Sequence, residues 1–283
     1  MARHCKLRRM LRPVGLTHGH YECRSLDETL PVFTELLAMR VVERRNSKAV
    51  VQHPNTAWRL VVHEAGAESP DKPHNNHYGV RVARAEEVDA AHRYLVTNKE
   101  RFGLRRISPP RSQHFARSVY FVEPGGNTLE IEHYDAQAIA EGRTIARPHW
   151  ARELREQEFP GRGYVPQALT HGTLECDDKE ASAAFYRDVL GLEIAGGGRL
   201  SVYIKHAASP WYIVVLPIPR RKKFLGPANR FTLTMSSADA VAEAYRELRG
   251  EKGVTELGAI EDGDRGASFL FADLNRNWWE VAH

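Results

Sequence analysis

Short stretches of the chain alternate apolar and polar positions or carry strand-forming residues: "AWRLVVH" (57–63), "SVYIKH" (201–206) and "WYIVVLP" (211–217). Such runs read as half-buried strands. Between them the apolar residues fall three and four apart, as on one face of a helix, over 26–42, 86–99, 179–195 and 238–249. Ser25-x-x-Glu28 and Asp177-x-x-Glu180 have capping-box form at two of these helix starts. Gly191 is placed to end the second of them, and Pro31 falls early enough in the first to be tolerated.

The order of elements is written twice. "LTHGHYEC" (16–23) returns as "LTHGTLEC" (169–176), and the same shift aligns Phe33 with Tyr186, Leu37 with Leu190 and Met39 with Leu192. Near the ends, "VYFVEPGGNTLEI" (119–131) falls on "FLFADLNRNWWEV" (269–281). Each half therefore holds two βαβββ modules in tandem, four modules of an α+β fold in all. The organisation expected is a basic tail (1–13), a first domain (14–135), a charged connector with a short helix near 149–159 (136–166), and a second domain (167–283).

Composition narrows the partners. A net charge of +4 comes from scattered basic residues, with clusters at Lys6/Arg8/Arg9/Arg12 and Arg220/Arg221/Lys222/Lys223. No base-reading module accompanies them, so nucleic acid is not expected as a partner, although the second cluster could attract an anion. No apolar run is long enough to span a bilayer and no signal-like segment opens the chain, which points to a cytoplasmic protein. Cys5, Cys23 and Cys176 form no paired motif; the last two fall at matching strand positions and read as small buried side chains.

Paired βαβββ modules opening on "LTHG" and closing on "EPGGNTLE" (123–130) or, more loosely, "DLNRNWWE" (273–280) resemble the vicinal oxygen chelate superfamily. That superfamily includes glyoxalase I, extradiol ring-cleaving dioxygenases and antibiotic-sequestering proteins. The resemblance implies a metal ligand on the first, fifth and eighth strands of a domain, which in the first half are His18, His77 and Glu130. Two imidazoles and a carboxylate leave open positions suited to Fe(II) and O₂, with Mn(II), Zn(II) or Ni(II) as other ions. His20, on the same strand face as His18, is a rival ligand. In the second half His171 and Glu280 recur, but Arg230 stands where His77 does and cannot ligate a cation. That copy reads as metal-free, with Arg230 paired to Glu280. The superfamily often pairs modules across subunits, which would instead mix the sets, for example His18 with Glu280.

The segment 108–130 is similar to extradiol dioxygenases in its Val119, Tyr120, Glu123, Pro124, Gly126 and Glu130. The resemblance gives Tyr120 a hydrogen bond to the substrate and an upstream His an acid–base role toward oxygen. His114 offers itself three residues late, and Arg111 occupies the expected place. The implied activity is ring cleavage of a catechol-like or other vicinal-diol aromatic by O₂, in a chain that could form a homo-oligomer. A glyoxalase-like isomerase or lyase would want a fourth ligand near Arg59, where Glu64 is the nearest acid and His63 could serve in another register. A non-catalytic binding protein would use Trp58, Trp211, Trp278 and Trp279 to clasp an aromatic ligand.

Overall fold

A computed structural model describes residues 10–66, 72–113, 115–141, 150, 152–198, 200–263 and 266–283. The first module runs β1 (Gly15–Cys23), α1 (Leu26–Pro31), β2 (Arg40–Arg45), β3 (Lys48–Gln52) and β4 (Arg59–Glu64). The second runs β5 (His77–Arg81), α2 (Ala85–Thr97), the short pair β6 (Arg106–Ile107) and β7 (Arg111–Gln113), then β8 (Ala116–Val122) and β9 (Thr128–Tyr134). After α3 (Ala136–Ala140) the third follows as β10 (Ala168–Cys176), α4 (Lys179–Ala184), β11 (Glu193–Gly198), β12 (Ser201–Lys205) and β13 (Tyr212–Pro217). The fourth is β14 (Arg230–Thr234), α5 (Ala238–Leu248), β15 (Glu256–Leu257), β16 (Glu261–Gly263), β17 (Gly266–Ala272) and β18 (Trp278–Ala282). The four expected modules are thus present, and the fold is α+β.

The modules do not pair within their own half of the chain. One nine-stranded sheet joins the first module to the fourth, through β1 antiparallel to β14; the other joins the second to the third, through β5 antiparallel to β10. Each sheet therefore draws on both halves of the chain.

The glycine in the repeated "LTHG" follows from how the two sheets meet. Trp58 and Trp211 stack with centroids 3.8 Å apart, and Tyr78 and Phe231 pack beside them, in a core shared by both sheets. A Cβ on Gly19 would lie 2.6 Å from the Trp58 ring, and one on Gly172 would lie 2.8 Å from the Tyr78 ring. Close approach at these two places requires the absence of a side chain. Trp58 and Trp211 consequently serve as core between the sheets rather than as walls of a ligand cleft.

Local expectations fare unevenly. The α2 and α5 helices cover the expected 86–99 and 238–249 runs, and Gly191 ends its helix in the left-handed region at φ 71°. Ser25 makes no side-chain cap, and the α4 cap is Asp178, which accepts from the amide of Ala181. Asp177 is diverted to Arg221, 3.2 Å away, whose guanidinium also bonds the backbone of Glu175 and Asn275. That part of the basic cluster is thus structural. Among the described residues, the helix expected near 149–159 is a single tight turn at Glu156–Glu158. Cys23 and Cys176 are buried thiols, pushed up to about 12 and about 11 by burial. Among the described residues no helix is long and apolar enough to cross a membrane.

Candidate metal centre

Alternation along β5 sends Tyr78 into the core between the sheets and leaves His77 and Gly79 on the opposite, concave face. In the ladder, Gly79 stands between Glu130 of β9 and His171 of β10. A Cβ on Gly79 would come within 2.1 Å of the His171 ring, so the missing side chain is what lets that ring lie across the strand. The result is a convergence of three donor atoms. Glu130 Oε2 is 3.1 Å from His77 Nε2 and 3.1 Å from His171 Nε2, and the two imidazole nitrogens are 3.3 Å apart.

These spacings suit a metal ion. Donors bonded at about 2.1 Å and at right angles would be ~3.0 Å apart, as on one face of an octahedron. The far side of each ring is tied down as well. His77 Nδ1 donates to the carbonyl of Asn75 (2.9 Å), and His171 Nδ1 faces Glu132 (3.3 Å). Such outer bonds fix the rings with Nε2 turned inward. His77, Glu130 and His171 form a group that could hold a metal ion, and nearly all of each side chain is buried.

Electrostatics tie the three groups to one another. Burial would raise the Glu130 carboxyl, but hydrogen bonds from His171 and His77 hold it well below the usual carboxylate range. Burial pulls His171 down, and the Glu132 and Glu130 carboxylates outweigh it, pushing it up to about 9. Glu132 in turn accepts from Arg81 at 2.6 Å, and Arg81 also donates to the Tyr212 hydroxyl. The three donors open into a cavity of about 530 Å³ lined on one side by Tyr120, Tyr134 and Arg111 and on the other by Tyr203, Val214 and Leu216. Tyr120 pairs across the ladder with Glu130, and its ring meets His77 edge-on at 5.4 Å. Burial and the adjacent Glu130 carboxylate push its phenol up, so it keeps its proton.

The expected ligand set is therefore brought together in part. His77 and Glu130 meet, but His18 lies in the other sheet, beside Arg59 and Thr232, and its ring bonds Thr17. His171, expected to face Arg230 in a metal-free copy, takes the third place because β10 rather than β1 is the neighbour of β5. His114 lies outside the described residues. The other sheet holds the remaining groups: Arg230 donates to Glu280 at 2.9 Å, as the sequence led us to expect. His20 contacts Glu280 (3.2 Å) and His63 (2.8 Å) there, so neither joins the centre at His77. The strand carrying Arg59, His63 and Glu64 also belongs to that sheet. The strand beside His171 is β13, which presents Val214 and Leu216 to the cavity and supplies no fourth ligand.

Comparison with known proteins follows this architecture. Residues 168–281 match the family model described as the Glyoxalase/Bleomycin resistance protein/Dioxygenase superfamily. Over 82 residues the chain is 35% identical to an iron-dependent extradiol dioxygenase of Rhodococcus jostii; the match spans 29% of this chain and only 23% of that relative. Among solved structures, a candidate dioxygenase from Bacillus subtilis aligns over 96% of this chain and 86% of its own, with a TM-score of 0.66 at 13% identity. Glyoxalase I from Zea mays aligns over 97% and 92%, with a TM-score of 0.65 at 14% identity. At such identities the structural likeness speaks for the fold.

Proposed function

From its place in the vicinal oxygen chelate superfamily, we propose that this chain is a metal-dependent, extradiol-type dioxygenase that cleaves the ring of a catechol-like substrate with O₂. Fe(II) is the ion proposed, held by His77, Glu130 and His171. The observation that carries the reading is the convergence of those three donors, with no fourth ligand among the described residues, at the floor of a cavity. A bound Fe(II) supplies a centre at which a vicinal diol and O₂ meet and exchange electrons.

The chain's own groups do the rest. Glu130 contributes the negative charge, and the anchored rings of His77 and His171 hold their Nε2 atoms in place. Tyr120 keeps a proton beside Glu130, where it can donate a hydrogen bond to a diol oxygen of the substrate. Tyr134, Tyr203, Val214 and Leu216 give an aromatic ring apolar surfaces to lie against and displace water from the reacting face. Tyr212, which stands beside His171 as Arg59 stands beside His18, weighs with Val214 and Leu216 against the isomerase reading, which calls for a carboxylate on that strand. The placement of Trp58 and Trp211 in the core weighs against a pure binding protein.

Anaerobic purification, Fe(II) reconstitution and oxygen uptake over a panel of catechols and hydroquinones test this directly. One iron per chain and oxygen consumption that disappears in Glu130→Ala are expected. No turnover across the panel, together with tight Ni²⁺ or Zn²⁺ and isomerase activity, would refute it.

A further inference from the structure

The wall of the cavity carries more positive charge than a simple diol needs. Among the described lining residues the acids are Glu130 and Glu132. Glu130 faces the two imidazoles, and Glu132 is matched by Arg81 at 2.6 Å and by His171. Arg106 and Arg111 also line the cavity, are exposed, and form no ion pair with a described residue. With Glu130 as a ligand, a divalent ion and a catechol that loses one proton would balance at the floor. Both guanidinium groups would then remain without a counter-charge.

Their position is set by the ladder. Arg106 pairs with Val122, and Arg111 pairs with Ser118. On β8 these two partners flank Tyr120, two residues to either side of it, and Tyr120 itself pairs with Glu130. Both arginines thus stand on the outermost strands, two strands out from β9, on the face that carries the donors. At roughly 4.8 Å per strand that is about 10 Å across the sheet from β9. A ring chelated at the floor with its far edge toward this rim would present a carboxylate to an arginine fork, which is shaped to take one.

Resting on the reading above, we propose that the substrate is an aromatic diol bearing a carboxylate on the side away from the metal, selected by Arg106 and Arg111. The metal position chooses the diol, and the rim chooses the charge. Anion steering by the same pair would also make association sensitive to salt.

The test is calorimetric binding to the metal-loaded full chain under anaerobic conditions, with 3,4-dihydroxybenzoate, catechol and benzoate as probes. Wild type is compared with Arg106→Met/Arg111→Met, whose melting temperature is checked to match. Expected is a preference of about tenfold or more for 3,4-dihydroxybenzoate over catechol. The double variant should lose that preference while its catechol affinity is unchanged. Equal binding of the two diols by wild type, or a preference that survives the double substitution, overturns the proposal and leaves the dioxygenase reading standing. Arginine-dependent binding of benzoate with no binding of catechol supports the anion site and removes the diol reading. Binding of none of the three probes removes both.

Discussion

Glu132 lies 3.3 Å from His171 Nδ1, on the side of the imidazole turned away from the Nε2 that faces Glu130 and His77. The carboxylate orients the ring and favours its inward lone pair, while Arg81 holds the carboxylate. Glu132→Gln is expected to weaken metal binding about 10- to 100-fold, read by competition with a chromophoric chelator. The same change leaves the Arg81 charge buried without its counter-ion and should cost about 3 kcal/mol in urea unfolding.

His171→Ala should abolish stoichiometric metal uptake, and His18→Ala should leave it intact. Elemental analysis of the two purified variants decides between a centre built across the halves and one built within the first half. Metal lost in His18→Ala but retained in His171→Ala would reverse the ligand assignment.

Stability is expected to fall in mild acid, before most carboxylates titrate. Burial lowers His53 to about 4 and His63 to about 3. His53 is held neutral by two bonds: Nε2 donates to the Pro166 carbonyl (3.1 Å), and Nδ1 accepts from the Asn55 amide (3.1 Å). Because the folded value lies below the unfolded one, the unfolded chain binds more protons between them. The stabilisation is complete above about pH 6.5 and is lost as pH falls toward 4. By pH 5 the His53 contribution alone amounts to about 2 kcal/mol. Urea midpoints at pH 7 and pH 5 measure it, and His53→Gln, less stable at pH 7, should lose less between the two.

Arg230→Met removes the cation from Glu280 and leaves a mostly buried carboxylate to His20 and Thr232. A loss of about 3 kcal/mol is expected in denaturant unfolding. Metal content should stay the same, because the centre at His77 lies in the other sheet.

Much of this could be read along the chain. The duplicated strings, the helical runs and the closing "EPGGNTLE" placed four modules and identified His77, Glu130 and Tyr120 as members of one face. The Arg230–Glu280 pair also followed from the substitution at a repeated position. The partner of His77 did not. β1 and β10 share "LTHG" and "EC", so either could stand beside β5 by local pattern alone. The choice belongs to long-range contacts: Thr173 receives the His77 amide at 2.7 Å, and the aromatic cluster around Trp58, Trp211, Tyr78 and Phe231 locks the sheets. The residues that differ within the two strings, His20 against Thr173 and Tyr21 against Leu174, were the available cue. His20 bonds His63 and contacts Glu280 in its own sheet, whereas Thr173 caps the approach to His77.

Because the two sheets are built crosswise, the chain is laid out like a symmetric pair of half-molecules fused into one. In a pair of separate, identical halves, an arginine at the His77 position would poison both centres at once. Fusion breaks that bond between the copies. One sheet can trade its ligands for an internal ion pair and become ballast, while the other is left free to specialise.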